Sequence, residues 1–285
     1  MNWGLASYET RFRWLAALWA VVLTGWCFAG FFSWQVRLLG ALLWVVITGV
    51  LSLWFAWWRP RSEREVPIFL LMSHLERGEK SPESLSIARI ERLVRDLLAA
   101  GYRFQTASEA IAAPMRKAVV MTFDGGTRDA ITELLPLLRR LEVKATLFVT
   151  DRGVHDPHFL TPLEIQELER SGLVELGCTV EAIPAGDTTQ AWVDAIARNR
   201  TWLAGVLGKL PPLFAYPYGV APERIEREVR AAGYQAAFTN GMKLHPVKDA
   251  PFQIVRRRLS GAYRPWQAYL LATRGRCSAF SGGRY

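Results

Sequence analysis

Cysteine is scarce in this chain: Cys27, Cys178 and Cys277 stand far apart, with no CxxC spacing among them. That excludes a disulfide framework and leaves free structural thiols. Histidine is nearly as rare, with four residues, and none falls between His158 and His245. The chain also lacks a basic stripe interleaved with aromatics. Its net charge of +9 comes from Lys and Arg scattered over helix faces, with Arg256-Arg257-Arg258 the only run, so nucleic acid is not an expected partner. What it has in excess is apolar residues, 51% with twelve Trp, concentrated at the front.

Between Arg13 and Arg37 the sequence is almost wholly apolar, and it is so again from Leu38 to Trp58. Each stretch matches the roughly 20 residues a bilayer-spanning helix needs, so the reading is a two-helix transmembrane hairpin in residues 1–60, with helices near 14–32 and 38–58. A signal peptide followed by a core helix is the alternative, but the first stretch has no small-residue cleavage site. Ser33-Trp34-Gln35-Val36 forms the turn, and Trp3, Trp14, Trp34, Trp54, Trp57 and Trp58 gather toward the ends as interfacial aromatics do. Arg11 and Arg13 precede the hairpin, Arg59, Arg61 and Arg64 follow it, and only Arg37 lies in the turn, which places both ends in the cytoplasm. Gly25, Ala29, Gly30, Gly40, Ala41 and Gly49 offer close helix approach, within the hairpin or against another membrane protein.

After a charged linker at 61–66, strand and helix patterns alternate. The sequence predicts strands at 67–72, 145–149, 173–177, 213–216, 235–239 and 252–259. Helices are predicted at 82–99, 131–141, from the Thr161 capping box to Gly172, at 190–207 and at 222–232, with a C-terminal helix and tail in 263–285. This alternation argues an α/β domain on a parallel sheet, open or closed into a barrel.

The most informative stretch is Lys117-Ala-Val-Val-Met-Thr-Phe-Asp-Gly-Gly126, a buried apolar strand that ends in Asp124 and two glycines. A carboxylate at the C-terminal end of a parallel strand stands where α/β barrels place chemistry; the competing reading is that Asp124 caps the helix that follows.

Thr122-Phe123-Asp124-Gly125-Gly126 resembles the Thr-Phe-Asp-Asp-Gly motif of the polysaccharide deacetylase family, the NodB-homology or carbohydrate esterase 4 domain. Further landmarks follow in order: Leu71-Met72-Ser73-His74, Gly101-Tyr102, Ala145-Thr-Leu-Phe-Val149, Phe214-Ala-Tyr-Pro-Tyr-Gly219, Ala232-Gly-Tyr-Gln-Ala-Ala-Phe-Thr239 and Arg256. The resemblance implies an irregular (β/α)7-like barrel over 67–262. It also implies that Asp124 matches the family's general base, and that His74 and Tyr218 line the substrate pocket. Most of the family acts outside the membrane, whereas some members take lipid-linked sugars at the inner face.

The same resemblance exposes losses. The family's metal ligands are one Asp and two His; here Gly125 stands for the Asp, and Thr179 and Ile183 stand where the histidines belong. Ala215 occupies the place of an arginine that orients the base. Cys178 and Glu181 with Asp124 are the one substitute ligand set the sequence offers, against the plainer reading that Cys178 is packing. The expectation is therefore no metal and no cofactor, and a catalytically degenerate, membrane-anchored partner or accessory subunit that binds a glycan, a lipid-linked sugar or another membrane protein. An active hydrolase removing N-acyl groups is the alternative.

Overall fold

The structure is a computed structural model that describes residues 20, 40, 42–50, 67–72, 85–151, 156–180, 188–240 and 250–274. The chain divides into two compact units, 1–61 and 62–285. In the first, residues 42–50 are helical and expose Leu42, Leu43, Val45, Val46 and Val50 by more than half. The rest of the predicted spans 14–32 and 38–58 lies outside the described residues, apart from Ala20 and Gly40. Among the described residues no helix is long and apolar enough to cross a membrane.

The second unit is a closed parallel barrel. Its strands are β1 (Ile68–Met72), β2 (Arg103–Phe104), β3 (Ala118–Gly125), β4 (Ala145–Val149), β5 (Val174–Thr179), β6 (Leu213–Ala215), β7 (Ala236–Asn240) and β8 (Ile254–Leu259). They run in the order β1-β8-β7-β6-β5-β4-β3, and β1 pairs with β3 to shut the ring of seven. This resolves the choice between open and closed sheet. Around the strands lie α1 (Ile87–Ala99), α2 (Ala107–Ala112), α3 (Leu135–Leu141), α4 (Pro162–Arg170), α5 (Thr189–Leu207), α6 (Glu223–Ala231) and α7 (Pro265–Arg274).

Differences from the sequence reading have local causes. Helix α1 begins at Ile87, not Pro82, because Ser86 is extended (φ −69°, ψ 147°) and serves as its N-cap. Its buried stripe includes Asp96, while Leu98 is 37% exposed. The helix expected over 131–141 starts with a π turn, Ala130–Leu134, in which the Leu135 amide bonds Ala130 O. Pro136 has no amide hydrogen and its ring crowds the preceding turn, so the backbone widens there before α3 proceeds.

Both β2 and α2 are absent from the sequence reading. The eight residues of β3 outlast β4: β1 occupies one edge from Val119 to Phe123, β4 pairs only from Thr122 on, and β2 takes the vacant stretch at Ala118 and Val119. That two-residue strand delivers α2 to the N-terminal end of the barrel. A capping box between Thr106 and Glu109 starts the helix. Its first amides then bond the barrel wall: Ala107 N–H donates to Thr146 Oγ1 (2.9 Å) and Ser108 N–H to Glu175 Oε2 (3.0 Å). Ala107 and Ala110 join the interior cluster and close that end.

Inside, Phe69, Val120, Phe148, Leu213, Ala215, Ala236, Phe238 and Ile254 form one packed layer. Phe238 stands 5.5 Å from Phe69 and 5.3 Å from Phe148, ring centre to ring centre. Gly177 is in register with Phe148 on the next strand, and a Cβ there would lie 2.7 Å from the Phe148 ring and 3.0 Å from Leu213 O. The ring fits because its neighbour has no side chain. Gly177→Ala is therefore expected to destabilise the barrel by about 1–3 kcal/mol through overpacking, read as a lower denaturant midpoint with unchanged slope. An unchanged midpoint would show that Phe148 shifts freely.

Candidate functional site

Strand parity decides what faces the barrel mouth. Asp124, Phe148 and Gly177 share one register level and point inward, so Gly125, Val149 and Cys178 fall on the outward parity. Asp124 thus stands two positions above Thr122 at the C-terminal end of β3, its side chain 27% exposed. One strand beyond β1 is Arg256 of β8, wholly buried, whose Nη1 and Nη2 donate to Asp124 Oδ1 and Oδ2 at 2.5 and 2.8 Å. The Arg256 guanidinium lies over the Phe148 ring, 5.4 Å from its centre. Both carboxylate oxygens are thereby committed to a planar bidentate pair set on an aromatic floor. The helix-cap reading of Asp124 is overturned: Asp129 is the N-cap of the π turn, and no side chain caps it.

The turn after Asp124 is shaped by Gly126, with φ +78° and only 2.9 Å between an ideal Cβ and Val149 Cγ1. Its carbonyl accepts from Leu160 N (3.0 Å), Thr127 bridges Phe159, and Arg128 N donates to His158 O (2.8 Å). The segment before α4 is so pinned across the loop, and Arg128 adds an ion pair to Glu164 at 3.0 Å. A small cavity of about 10 Å³ lies beside Asp124, lined by Met72, Phe123, Thr127, Ala130 and Leu134.

Tyr218 is at the same end of the barrel, after β6. Its backbone is left-handed (φ 56°, ψ 6°) and its side chain 70% exposed, between Pro217 and Gly219. The structure therefore puts Tyr218 on the rim and Asp124 in the mouth. His74 lies outside the described residues, as do His155, His245, Glu181 and Ile183. His158 is exposed in its loop.

The positions that resemblance assigns to metal ligands do not fit a metal. Gly125 offers no side chain. Thr179 is 4% exposed, and its hydroxyl donates to Ala215 O at 2.9 Å, inside the wall. The substitute set of Cys178, Glu181 and Asp124 is corrected by parity, since Cys178 is packed outward, fully buried, toward Tyr234 and Arg200. Desolvation pushes its thiol up to about 12, far from the thiolate a metal requires. No group of three His, Cys, Asp or Glu side chains able to hold a metal occurs among the described residues.

Two residues escaped the sequence reading as site elements. Arg256, noted only as a family landmark, supplies the guanidinium missing at Ala215. The signal was a cation at an inward strand parity, two residues from buried Ile254. Asn199 is the other: fully buried on the apolar stripe of α5, its Nδ2 donates to Thr179 O (2.5 Å) and Val149 O (3.1 Å), tying the ends of β4 and β5. An amide on an otherwise apolar stripe was visible in the sequence.

With this geometry in place, comparison with known proteins is decisive for the domain. Residues 112–237 match the family model described as polysaccharide deacetylase. The barrel is a polysaccharide deacetylase-like domain. The chain is 25% identical over 193 residues to the Bacillus subtilis protein YxkH, covering 65% of this chain and 67% of that one. It is 25% identical over 165 residues to the peptidoglycan-N-acetylglucosamine deacetylase of Bacillus cereus, covering 55% and 59%. The deacetylase-like barrel also superposes on solved folds. For Streptococcus pyogenes deacetylase PplD the TM-score is 0.64 at 18% identity, over 73% of this chain and 96% of that one. For IcaB from Ammonifex degensii it is 0.63 at 21%, over 73% and 95%. At such identities the structural likeness speaks for the fold.

The ion pair gives a direct test. Arg256→Ala is expected to cost about 3 kcal/mol, near the low end for a broken buried pair because Asp124 keeps some water. Replacing both partners together, Asp124→Leu with Arg256→Met, is expected to cost less than Arg256→Ala alone in the same denaturant titration. A double variant worse than the single would refute the pair as the source of the loss.

Proposed function

We propose that this protein is a membrane-anchored, catalytically degenerate deacetylase-like protein, whose barrel mouth binds a saccharide and whose N-terminal hairpin contacts another membrane protein in cell-surface polysaccharide assembly. The observation that carries the reading is the pair of matched ligand positions, Gly125 with no side chain and Thr179 with its hydroxyl bonded to Ala215 O inside the wall, neither able to coordinate. A hydrolase of this class needs an electrophile to polarise the acyl carbonyl and a base to draw a proton from water. The mouth keeps the carboxylate, partly open to solvent. It has no electrophile at the family's positions.

The membrane part of the reading is supported by the charge pattern around the hairpin and by the exposed Leu and Val residues of the helical stretch 42–50. It places the barrel in the cytoplasm, where lipid-linked sugars are assembled precursors of the kind the mouth would meet. Single cysteines at Ser33 and Ser281, in a chain lacking its native cysteines, test this with an impermeant reagent on intact cells. Labelling at position 33 alone is expected, and labelling at 281 alone would put the barrel on the outer side.

The enzyme question is settled by acetate release from N-acetylglucosamine oligomers, using full-length protein with zinc, cobalt or nickel present. No rate above that of Asp124→Asn is expected. The second reading, hydrolysis of N-acyl groups with Asp124 as base, draws on that carboxylate's access to solvent. A metal-stimulated rate abolished by Asp124→Asn would establish it and overturn degeneracy.

A further inference from the structure

At the closed end of the barrel the chain passes from α2 into β3 through an exposed turn. Every residue of Ala112-Ala-Pro-Met-Arg-Lys117 is exposed, Met115 by 43%. The turn is nevertheless fixed. Gln105, 3% exposed, donates from Nε2 to Ala113 O (3.0 Å) and accepts at Oε1 from Met115 N (3.1 Å), so one buried amide holds both limbs. Lys117, left-handed at φ 54°, then sets its Nζ 5.8 Å from the centre of the Tyr102 ring and donates to Ala100 O (3.1 Å). A turn held this way presents Ala112, Ala113, Pro114 and Met115 to solvent, where a looser one could fold them back onto the barrel.

Cations stand beside this apolar tip. Arg116 and Lys117 continue it, and exposed Arg103 is tied to it through its amide, which donates to Lys117 O (2.9 Å). Of the acids at this end, Glu109 is paired with Lys144, and Glu142 is exposed. A second tip, Lys209-Leu210, precedes β6 at the same end, with Leu210 63% exposed. In the ring of seven, β6 lies three strands from β3, so the two tips stand on opposite sides of the barrel. The mouth end also exposes Leu163 and Val220, but glutamates follow these within three residues, at Glu164 and Glu223. Apolar tips flanked by Lys and Arg suit the boundary of an anionic bilayer, where the apolar group enters among the headgroups and the cation stays over the phosphates.

We propose that the closed end of the barrel docks on an anionic lipid surface, with Met115 and Leu210 at headgroup depth and Arg103, Arg116 and Lys117 over lipid phosphates. A bilayer is the occupant because the contact points span the whole end, as a flat surface requires, and because the chain enters the barrel there. Strand β1 starts at Ile68, level with Val119 near the start of β3. Ile68 is ten residues after Trp58, the last apolar residue of the second predicted span, and ten residues reach at most about 35 Å. The inference rests on the membrane-anchored reading and adds a lipid-facing surface to it. The mouth, at the other end of the strands, then opens away from the bilayer.

An environment-sensitive fluorophore on a single cysteine tests this in the full-length protein, its native cysteines replaced, in nanodiscs of phosphatidylcholine with and without phosphatidylglycerol. The probe is placed by Ala113→Cys, Leu210→Cys or, at the mouth end, Leu163→Cys. Quenching by acrylamide at positions 113 and 210 is expected to fall about threefold or more with phosphatidylglycerol present, with no change at 163. It should recover at about 1 M salt, where the screening length is about 3 Å. Arg116→Glu with Lys117→Glu, and separately Met115→Asp, should each restore quenching at 113; a circular dichroism melt close to that of the parent chain excludes misfolding as the cause. Equal quenching in both lipids, in a chain that still co-elutes with the discs, would overturn the docking and leave the anchor standing. Shielding at 113 without shielding at 210 would overturn it too, since a flat surface touches both. A chain that does not co-elute with the discs would count against the anchor itself and remove the docking with it.

Discussion

The ion pair between Asp124 and Arg256 governs the rest of this barrel. A guanidinium with no exposed surface tolerates burial only with its charge matched and its donors directed, and Asp124 does both with two parallel hydrogen bonds. The pair joins β3 to β8 over the intervening β1, so it clasps the seam at which β1 closes onto β3. Phe148 provides a π face for the cation, and Gly177 makes room for Phe148. Loss of one of these parts disturbs the others because they are stacked along one axis.

This arrangement changes what likeness to deacetylases implies. A residue matched to a general base carries a role only if its lone pairs can reach the reacting water. Here the carboxylate is fixed by an arginine from the last strand rather than from the end of β6, where Ala215 stands, and the neighbouring ligand positions are a glycine and a threonine bonded into the wall. The relatives share the scaffold. The chain spans 59% of the Bacillus cereus relative's length, so likeness at the level of whole-protein activity is narrower than likeness of the barrel.

Much of the barrel could be read from the sequence because its strands are short continuous apolar runs and its helices carry capping boxes and glycine stops. β4 was bounded residue for residue, and Thr161 with Glu164 marked the start of α4. What escaped was whatever depends on distant partners. β2 and α2 are too short for periodicity to register, and they exist because β3 leaves a free edge and the barrel end needs a cover. Closure itself is a property of β1 meeting β3 across 50 residues, which no local pattern encodes. In the site, Asp124 could be singled out by its place at a strand end, whereas Tyr218 was named only through the resemblance. Arg256 could be placed only once parity showed which of three consecutive arginines faces inward.

The cover that α2 makes over one end of the barrel has a topological consequence for any polymer. With Ala107 and Ala110 packed into the interior and the first amides of the helix bonded to Thr146 and Glu175, that end is shut. A long glycan cannot thread the barrel like a string through a bead. The packed layer beneath Asp124 closes the passage from within as well, so whatever meets the mouth must arrive and leave from the same side, and contact with a chain would be made at its surface.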